Sequence, residues 1–276
     1  MPTTRSSNGV EIAYRTAGDV PPNVLFMHGW AGSGAYFDPV LENLDYSRLR
    51  AITFDFRGHG DSGNTEDGYT LDGLADDTIA VADDADADEF FLVGFSMSGK
   101  FAQYVSCQHP DRVLGQILVA GCPAGELALP SELLADWYAR EGSAERMIEL
   151  VRMFATQPLP PGVLERFGKD AARVQLVALQ GTVEAVTSTS FVDRLALAPV
   201  PTLVVGGLHD QMFGPDALRN FVVAPVRDAQ LELLDCGHEI PIERPRELAR
   251  LIERFVVEHA GGALEGARLP AGATPP

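Results

Sequence analysis

The string Gly94-Phe95-Ser96-Met97-Ser98-Gly99 sets a serine between an apolar run of strand length, Glu89 to Val93, and a helical stretch, Met97 to Gln108. A serine on a strand-to-helix turn has its hydroxyl lifted clear of the sheet. The amide that follows opens a helix, where free N–H groups and the positive dipole end can stabilise an oxyanion. Such a turn needs small neighbours, because strand and helix approach closely there, and Gly94 supplies one. A G-x-S-x-G turn would place glycine at the fifth position; here that position is Ser98 and glycine follows at 99. Serine is small enough for the turn to survive with altered packing.

A serine hydroxyl is a poor nucleophile until a base takes its proton, and the base must be held in one tautomer. His238, in Asp235-Cys236-Gly237-His238-Glu239, and Asp210, in Gly206-Gly207-Leu208-His209-Asp210, each follow a predicted strand. The order Ser96, Asp210, His238 is the one expected of a doubly wound parallel sheet carrying a catalytic triad on loops at its carboxyl edge. Ser96 is therefore the candidate nucleophile, His238 the general base and Asp210 the acid that orients it. No two histidines have metal-ligand spacing, so no metal site is expected. Lys100 lies four residues after Ser96, where S-x-x-K chemistry needs three.

Elements of the right kind surround these residues. Apolar strands are expected at Val24 to Met27, Ala51 to Phe54, Glu89 to Val93 and Gln116 to Ala120, with helices at Tyr36 to Leu44, Leu71 to Ala85 and Met97 to Gln108. That alternation implies parallel strands with helices on both faces. From Pro123 to about Pro199 no strand is evident. Leu133 to Arg140, Ala144 to Ala155 and Ala171 to Leu179 read as helices, interrupted by Pro158, Pro160 and Pro161. The sheet rhythm resumes with Thr202 to Val205, a helix at Pro215 to Val222, Leu231 to Leu234 and a helix at Arg246 to Glu258. The expected organisation is an α/β core at 1–122 and 199–260, a helical cap insertion at 123–198 and a flexible tail at 261–276.

Bulk composition narrows the partners. The 276 residues are 46% hydrophobic, enough for one large α/β core, and carry a net charge of −18. Nothing in so acidic a chain could neutralise a run of phosphates, so no nucleic-acid partner is expected. Only Lys100 and Lys169 are lysines among 21 basic residues. That composition is compatible with salt adaptation, but genome composition is the simpler reading. Cys107, Cys122 and Cys236 are odd in number and widely spaced, which suggests neither a disulfide framework nor a metal site and fits buried reduced thiols in a cytoplasmic protein. No signal-peptide core or membrane-length apolar run is present, so no membrane partner is expected.

Taken together, the chain resembles the α/β-hydrolase superfamily. His28-Gly29-Trp30 is similar to that family's oxyanion loop, and Asp55-Phe56-Arg57-Gly58-His59-Gly60-Asp61-Ser62 to its D-x-R-G-x-G-x-S loop. The serine turn, Gly-x-x-x-Asp, and Gly-His-x-x-x-x-Glu-x-Pro from Gly237 to Pro245 complete the set, over about residues 10–122 and 200–258. The resemblance implies the α/β-hydrolase fold with a helical cap, and oxyanion donation by the backbone amides of Trp30 and Met97. It also implies that His28, Asp55, Arg57 and His59 tie loops together. His209 reads as a loop residue, and His109 and His259 as surface positions at helix ends. In the insertion, Trp137, Tyr138, Met147, Met153 and Phe154 either line an apolar pocket, with Trp137, Tyr138 and Phe154 as candidate substrate contacts, or form the cap's own core.

The expected activity is hydrolysis of a small carboxylic ester or lactone through an acyl-enzyme, with a small ester-like molecule as partner and no cofactor. The same residues could instead hydrolyse a carbon–carbon bond or act as a cofactor-free haloperoxidase (perhydrolase). An aspartate nucleophile, as dehalogenases and most epoxide hydrolases need, is absent. A receptor built on this fold with a vestigial triad is the alternative of a different class.

Overall fold

The computed structural model describes residues 2–196 and 200–261. The stretch read as a tail lies, from 262 onward, outside the described residues, as do 197–199. One eight-stranded sheet runs β1-β2-β4-β3-β5-β6-β7-β8. Its strands are β1 (Thr3–Arg5), β2 (Glu11–Ala17), β3 (Asn23–Met27), β4 (Arg50–Phe54), β5 (Phe90–Phe95), β6 (Val113–Val119), β7 (Thr202–Gly207) and β8 (Gln230–Leu234). Strands β3 to β8 pair in parallel; β1 and β2 add an antiparallel edge. The six parallel strands are those the sequence predicts. The two antiparallel strands were not expected.

Helices cover both faces. They are α1 (Asp38–Leu41), α2 (Leu71–Asp84), α3 (Met97–Gln108), α4 (Ser131–Tyr138), α5 (Ala144–Phe154), α6 (Pro161–Ala171), α7 (Leu176–Thr187), α8 (Val192–Leu195), α9 (Pro215–Leu218), α10 (Ile240–Glu243) and α11 (Pro245–His259). Successive side chains of a strand point to opposite faces. Leu25 and Met27 of β3, with Phe90 and Leu92 of β5, meet Leu74 and Val81 of α2 and Phe101 and Val105 of α3. Val24 and Phe26, with Phe91 and Val93, meet Val40 of α1 and Ile252 and Phe255 of α11. The fold is thus a doubly wound α/β sheet, with helices α4 to α8 inserted between β6 and β7.

Several expected boundaries change. The helix predicted at Tyr36 to Leu44 is a 3₁₀ turn, Gly34–Phe37, running into the four-residue α1 with Pro39 in its first turn. The helix predicted at Ala171 to Leu179 is two helices, α6 ending at Ala171 and α7 beginning at Leu176. Pro161 does not interrupt a helix; it opens one at a first-turn position where its missing N–H costs nothing. Helix α9 passes into a π-turn at Arg219–Val223.

Close approach dictates two glycines at the serine turn. A Cβ on Gly94 would collide with the Ser98 carbonyl, and one on Gly99 with the Gly121 backbone. Gly99 is helical, so propensity alone would favour alanine by about 1 kcal/mol. Overpacking against backbone costs about 1–3 kcal/mol, so Gly99→Ala is expected to be destabilising. A lower urea midpoint at unchanged slope would bear this out; a higher midpoint would mean α3 can move away from β6.

Candidate active site

Ser96 sits where β5 ends and α3 begins, with φ of 53° and ψ of −115°. A non-glycine residue in that region costs about 1–3 kcal/mol and persists only where its surroundings over-determine it. They do so here. The Ser96 amide donates to the Val119 carbonyl at 2.8 Å, and the Ser96 carbonyl accepts from Gly99 at 3.0 Å and Cys122 at 2.9 Å. Ser98, in the position where a glycine was expected, is fully buried, and its hydroxyl donates to the His28 carbonyl. It ties the turn to the neighbouring loop.

The structure brings Ser96, Asp210 and His238 together. His238 Nε2 lies 2.9 Å from Ser96 Oγ, and Nδ1 lies 2.8 Å from Asp210 Oδ2. Asp210 uses its other oxygen to accept the amides of Met212, at 2.7 Å, and Phe213, at 3.0 Å, which fixes the carboxylate. Burial pushes the Asp210 carboxyl up, but the imidazole and the two amides outweigh it and hold it below the usual range. Burial pulls the His238 imidazole down, but the Asp210 carboxylate outweighs that and holds it above its usual value. With Nδ1–H directed at Asp210, Nε2 can take a proton from Ser96.

Trp30 and Met97 both line the pocket above Ser96. Met97 is the first residue of α3, so its amide has no intrahelical acceptor. Among the described residues neither the Met97 nor the Trp30 amide has a hydrogen-bond partner. The pocket has a volume of about 90 Å³ and a mainly apolar wall, to which α4, α5, α6 and α7 contribute. Trp137 and Phe154 stand on it. Tyr138 does not: one residue on from Trp137 it turns about 100° around the helix and packs, half-buried, in the core beneath. Met147 is fully buried in that core and Met153 is exposed. Trp137 is buried, yet its Nε1–H has no acceptor among the described residues. Among the described residues no lysine or arginine lines the pocket.

Three residues here carried no assigned role in the sequence. The Glu243 carboxylate accepts amides from Gly237, at 3.0 Å, from Thr156, at 2.7 Å, and from Gln157, at 2.9 Å, so it joins the His238 loop to the segment after α5. The pattern Gly-His-x-x-x-x-Glu contained it, but not what it holds. Tyr36 and Glu239 also stand on the wall, joined by a hydrogen bond from the Tyr36 hydroxyl to Glu239 Oε2. Burial pushes Glu239 up to about 7. Their 203-residue separation leaves no local signal in the sequence.

The remaining candidates are ties. The Asp55 carboxylate accepts the amides of Gly34, at 2.7 Å, and Asp61, at 2.8 Å, and Arg57 makes a buried two-pronged pair with Asp77. His28 donates from Nδ1 to the Gly29 carbonyl and accepts the Phe56 amide at Nε2; His59 donates from Nδ1 to the Arg57 carbonyl. Lys100 is buried with Nζ donating to the carbonyls of Gly125, Val186 and Thr189, which pins α3 to the end of α7. His209 is exposed beside Asp235. His109 and His259 are half-buried rather than on the open surface, and so is Cys107, whereas Cys122 and Cys236 are buried. Among the described residues no helix is long and apolar enough to cross a membrane, and no cluster could hold a metal.

A model of the alpha/beta hydrolase family matches residues 24–251, and the chain belongs to that family. Within it, the chain is 29% identical over 251 residues to the non-heme chloroperoxidase CPO-A1 of Kitasatospora aureofaciens, covering 85% of this chain and 90% of that protein. Its fold matches an esterase from Exiguobacterium antarcticum with a TM-score of 0.82 at 19% identity, covering 92% of this chain and 98% of the other. It matches the enol-lactonase from Burkholderia xenovorans LB400 with a TM-score of 0.81 at 20% identity, covering 93% and 100%.

The loops under the site should weaken in mild acid. Burial pushes His28 down to about 4, and burial together with the neighbouring His28 pushes His59 to about 3, from an ordinary 6.5. Both are neutral when folded and take up a proton on unfolding. Their contribution is complete above 6.5 and is lost as pH falls from there toward 4 and 3, on the order of 3 kcal/mol each by pH 4. His28→Gln is expected to be less stable at pH 7 but to lose less between pH 7 and 4.5, read from urea midpoints. An unchanged dependence on pH would contradict this.

Proposed function

We propose that this chain is a serine hydrolase that cleaves a short, uncharged carboxylic ester or lactone. Carrying the proposal is the continuous hydrogen-bonded line Asp210–His238–Ser96 opening into an apolar pocket. Ser96 Oγ attacks the carbonyl carbon as its proton passes to His238 Nε2. The amides of Trp30 and Met97 hold the oxyanion, and the imidazolium, stabilised by Asp210, returns the proton to the leaving oxygen. Water, activated by the same histidine, then releases the acid and regenerates Ser96.

The wall favours uncharged substrates. A carboxylate-bearing dienoate, the substrate of a carbon–carbon hydrolase, would lose its hydration shell with no Lys or Arg among the described residues of the pocket wall to replace it. A second reading draws on the likeness to the chloroperoxidase: hydrogen peroxide in place of water would release a peracid from the same acyl-enzyme.

Chain length and protonation state give the tests. A cavity of about 90 Å³ with a mainly apolar wall favours short acyl chains over long ones. Turnover of p-nitrophenyl esters is expected to be highest from acetate to butyrate, to fall sharply by decanoate, and to vanish in Ser96→Ala. Ester turnover that survives in folded Ser96→Ala would overturn the proposal. Peracid formation from acetate and peroxide, tested alongside, decides the second reading. Because His238 must be neutral to act as base, kcat/KM should rise with pH through an apparent pKa above the ordinary histidine value. Asp210→Asn should keep the fold and lower kcat by about 10⁴; near-normal turnover would place the orienting acid elsewhere.

A further inference from the structure

We propose that Glu239 is a specificity-determining residue of this pocket: with Oε2 held by Tyr36, its Oε1 engages an uncharged hydroxyl on the substrate, close to the ester that Ser96 attacks. The proposal rests on the serine-hydrolase reading above and deepens it by naming the substrate class.

Glu239 follows His238 directly and lines the same pocket as Ser96. It is only 5% exposed, so little of it meets bulk water. Its conformation is fixed at both ends. The backbone amide donates to Glu243 Oε1 at 3.2 Å, and the backbone carbonyl accepts from Ile242 at 3.0 Å and Glu243 at 2.8 Å. The side-chain end accepts the Tyr36 hydroxyl, and Tyr36 is itself clamped, stacked on Phe95 with centroids 5.4 Å apart and edge-on to Phe167 at 5.5 Å. The Tyr36 hydroxyl goes to Oε2, and no hydrogen bond to Oε1 is found among the described residues. A buried carboxyl beside a cavity, with one oxygen satisfied and the other unpartnered, lacks a partner that a ligand can supply.

The chemistry of that partner follows from the surroundings. The His238 imidazole, the Tyr36 hydroxyl, Glu243 and Asp210 are the charged or titratable groups that act on Glu239, and among the described residues no Lys or Arg shares the wall. A substrate carboxylate would meet like charge. An ammonium would be stripped of water in a small apolar space. A hydroxyl needs neither compensation, and it can donate to the ionised carboxyl or accept from the protonated one, both of which are populated near neutrality when burial lifts the group to about 7.

Two isosteric pairs test the proposal: ethyl 3-hydroxybutyrate against ethyl 3-methylbutyrate for the acyl side, and 2-hydroxypropyl butyrate against 2-methylpropyl butyrate for the alkoxy side. In wild type, one hydroxylated ester is expected to have a kcat/KM about three- to tenfold above its methyl isostere, the value of one hydrogen bond. Glu239→Leu should abolish that ratio and Glu239→Gln should retain most of it. No preference in wild type for either pair overturns the proposal without reference to any variant. A loss in Glu239→Leu shared equally by both members of a pair also overturns it, and assigns Glu239 to tuning His238. Calorimetric binding of the same pairs to Ser96→Ala separates the two readings. A hydroxyl preference there with no wild-type ester turnover would sink the hydrolase reading and keep the subsite; equal binding with normal turnover would do the reverse.

Discussion

The site depends on holding Ser96 in a left-handed backbone conformation, φ 53°, that it would not choose alone. That conformation costs about 1–3 kcal/mol. Opposing it are the six buried residues of β5, which lies between β3 and β6 with parallel partners on both sides. Each fully buried Phe, Leu or Val contributes about 1.5–3 kcal/mol, so the strand outweighs the strain several-fold. The strain then has a geometric consequence. It aims the hydroxyl out of the sheet while the next amide starts a helix, and it requires the bare backbone of Gly94 and Gly99 for α3 to lie close to β5 and β6.

Three buried histidines show how partners, not residue type, set protonation. His28 and His59 bond to the backbone, and among the described residues neither ring is hydrogen-bonded to a carboxylate; desolvation prevails, outweighing the pull of Asp55 on His59, and both are held neutral. His238 is as thoroughly buried, yet its contact with the Asp210 carboxylate reverses the direction. A proton arriving at this site therefore has one favourable imidazole to occupy, the one hydrogen-bonded to Ser96.

Much of this was legible in the sequence, and the omissions have physical causes. The six parallel strands are short apolar runs bounded by turn residues, because a strand covered on both faces has no polar side to show. Strand β2 mixes Ile12 and Tyr14 with Glu11 and Arg15, and β1 is three polar residues; as an antiparallel edge they are covered less and patterned less. Ser96, Asp210 and His238 were legible because each follows a strand at the same sheet edge, and topology alone brings such loops together. The pocket wall was not. Whether Trp137 or Tyr138 faces the cavity depends on the rotation of α4, and the Tyr36–Glu239 pair joins residues from opposite ends of the chain.

The connections between the inserted helices and the core limit how this pocket can work. The His238 amide donates to the Phe154 carbonyl at the end of α5, and the Glu243 carboxylate accepts the Thr156 amide, the Thr156 hydroxyl and the Gln157 amide just beyond it. Neutral bonds of this kind contribute about 0.5–1.5 kcal/mol each and those to a charged group about 1.5–3. Lifting α5 as a body would break all four, at a cost approaching the 5–15 kcal/mol stability of a whole domain. It would also release the loop that presents His238 to Ser96. An opening that disassembles the hydrogen-bonded line is a poor way to admit substrate, so α5 and the segment after it act as a fixed part of the wall. The wall therefore selects by its shape and by the polar groups it presents, among them the backbone amides of Trp30 and Met97 and the carboxyl of Glu239.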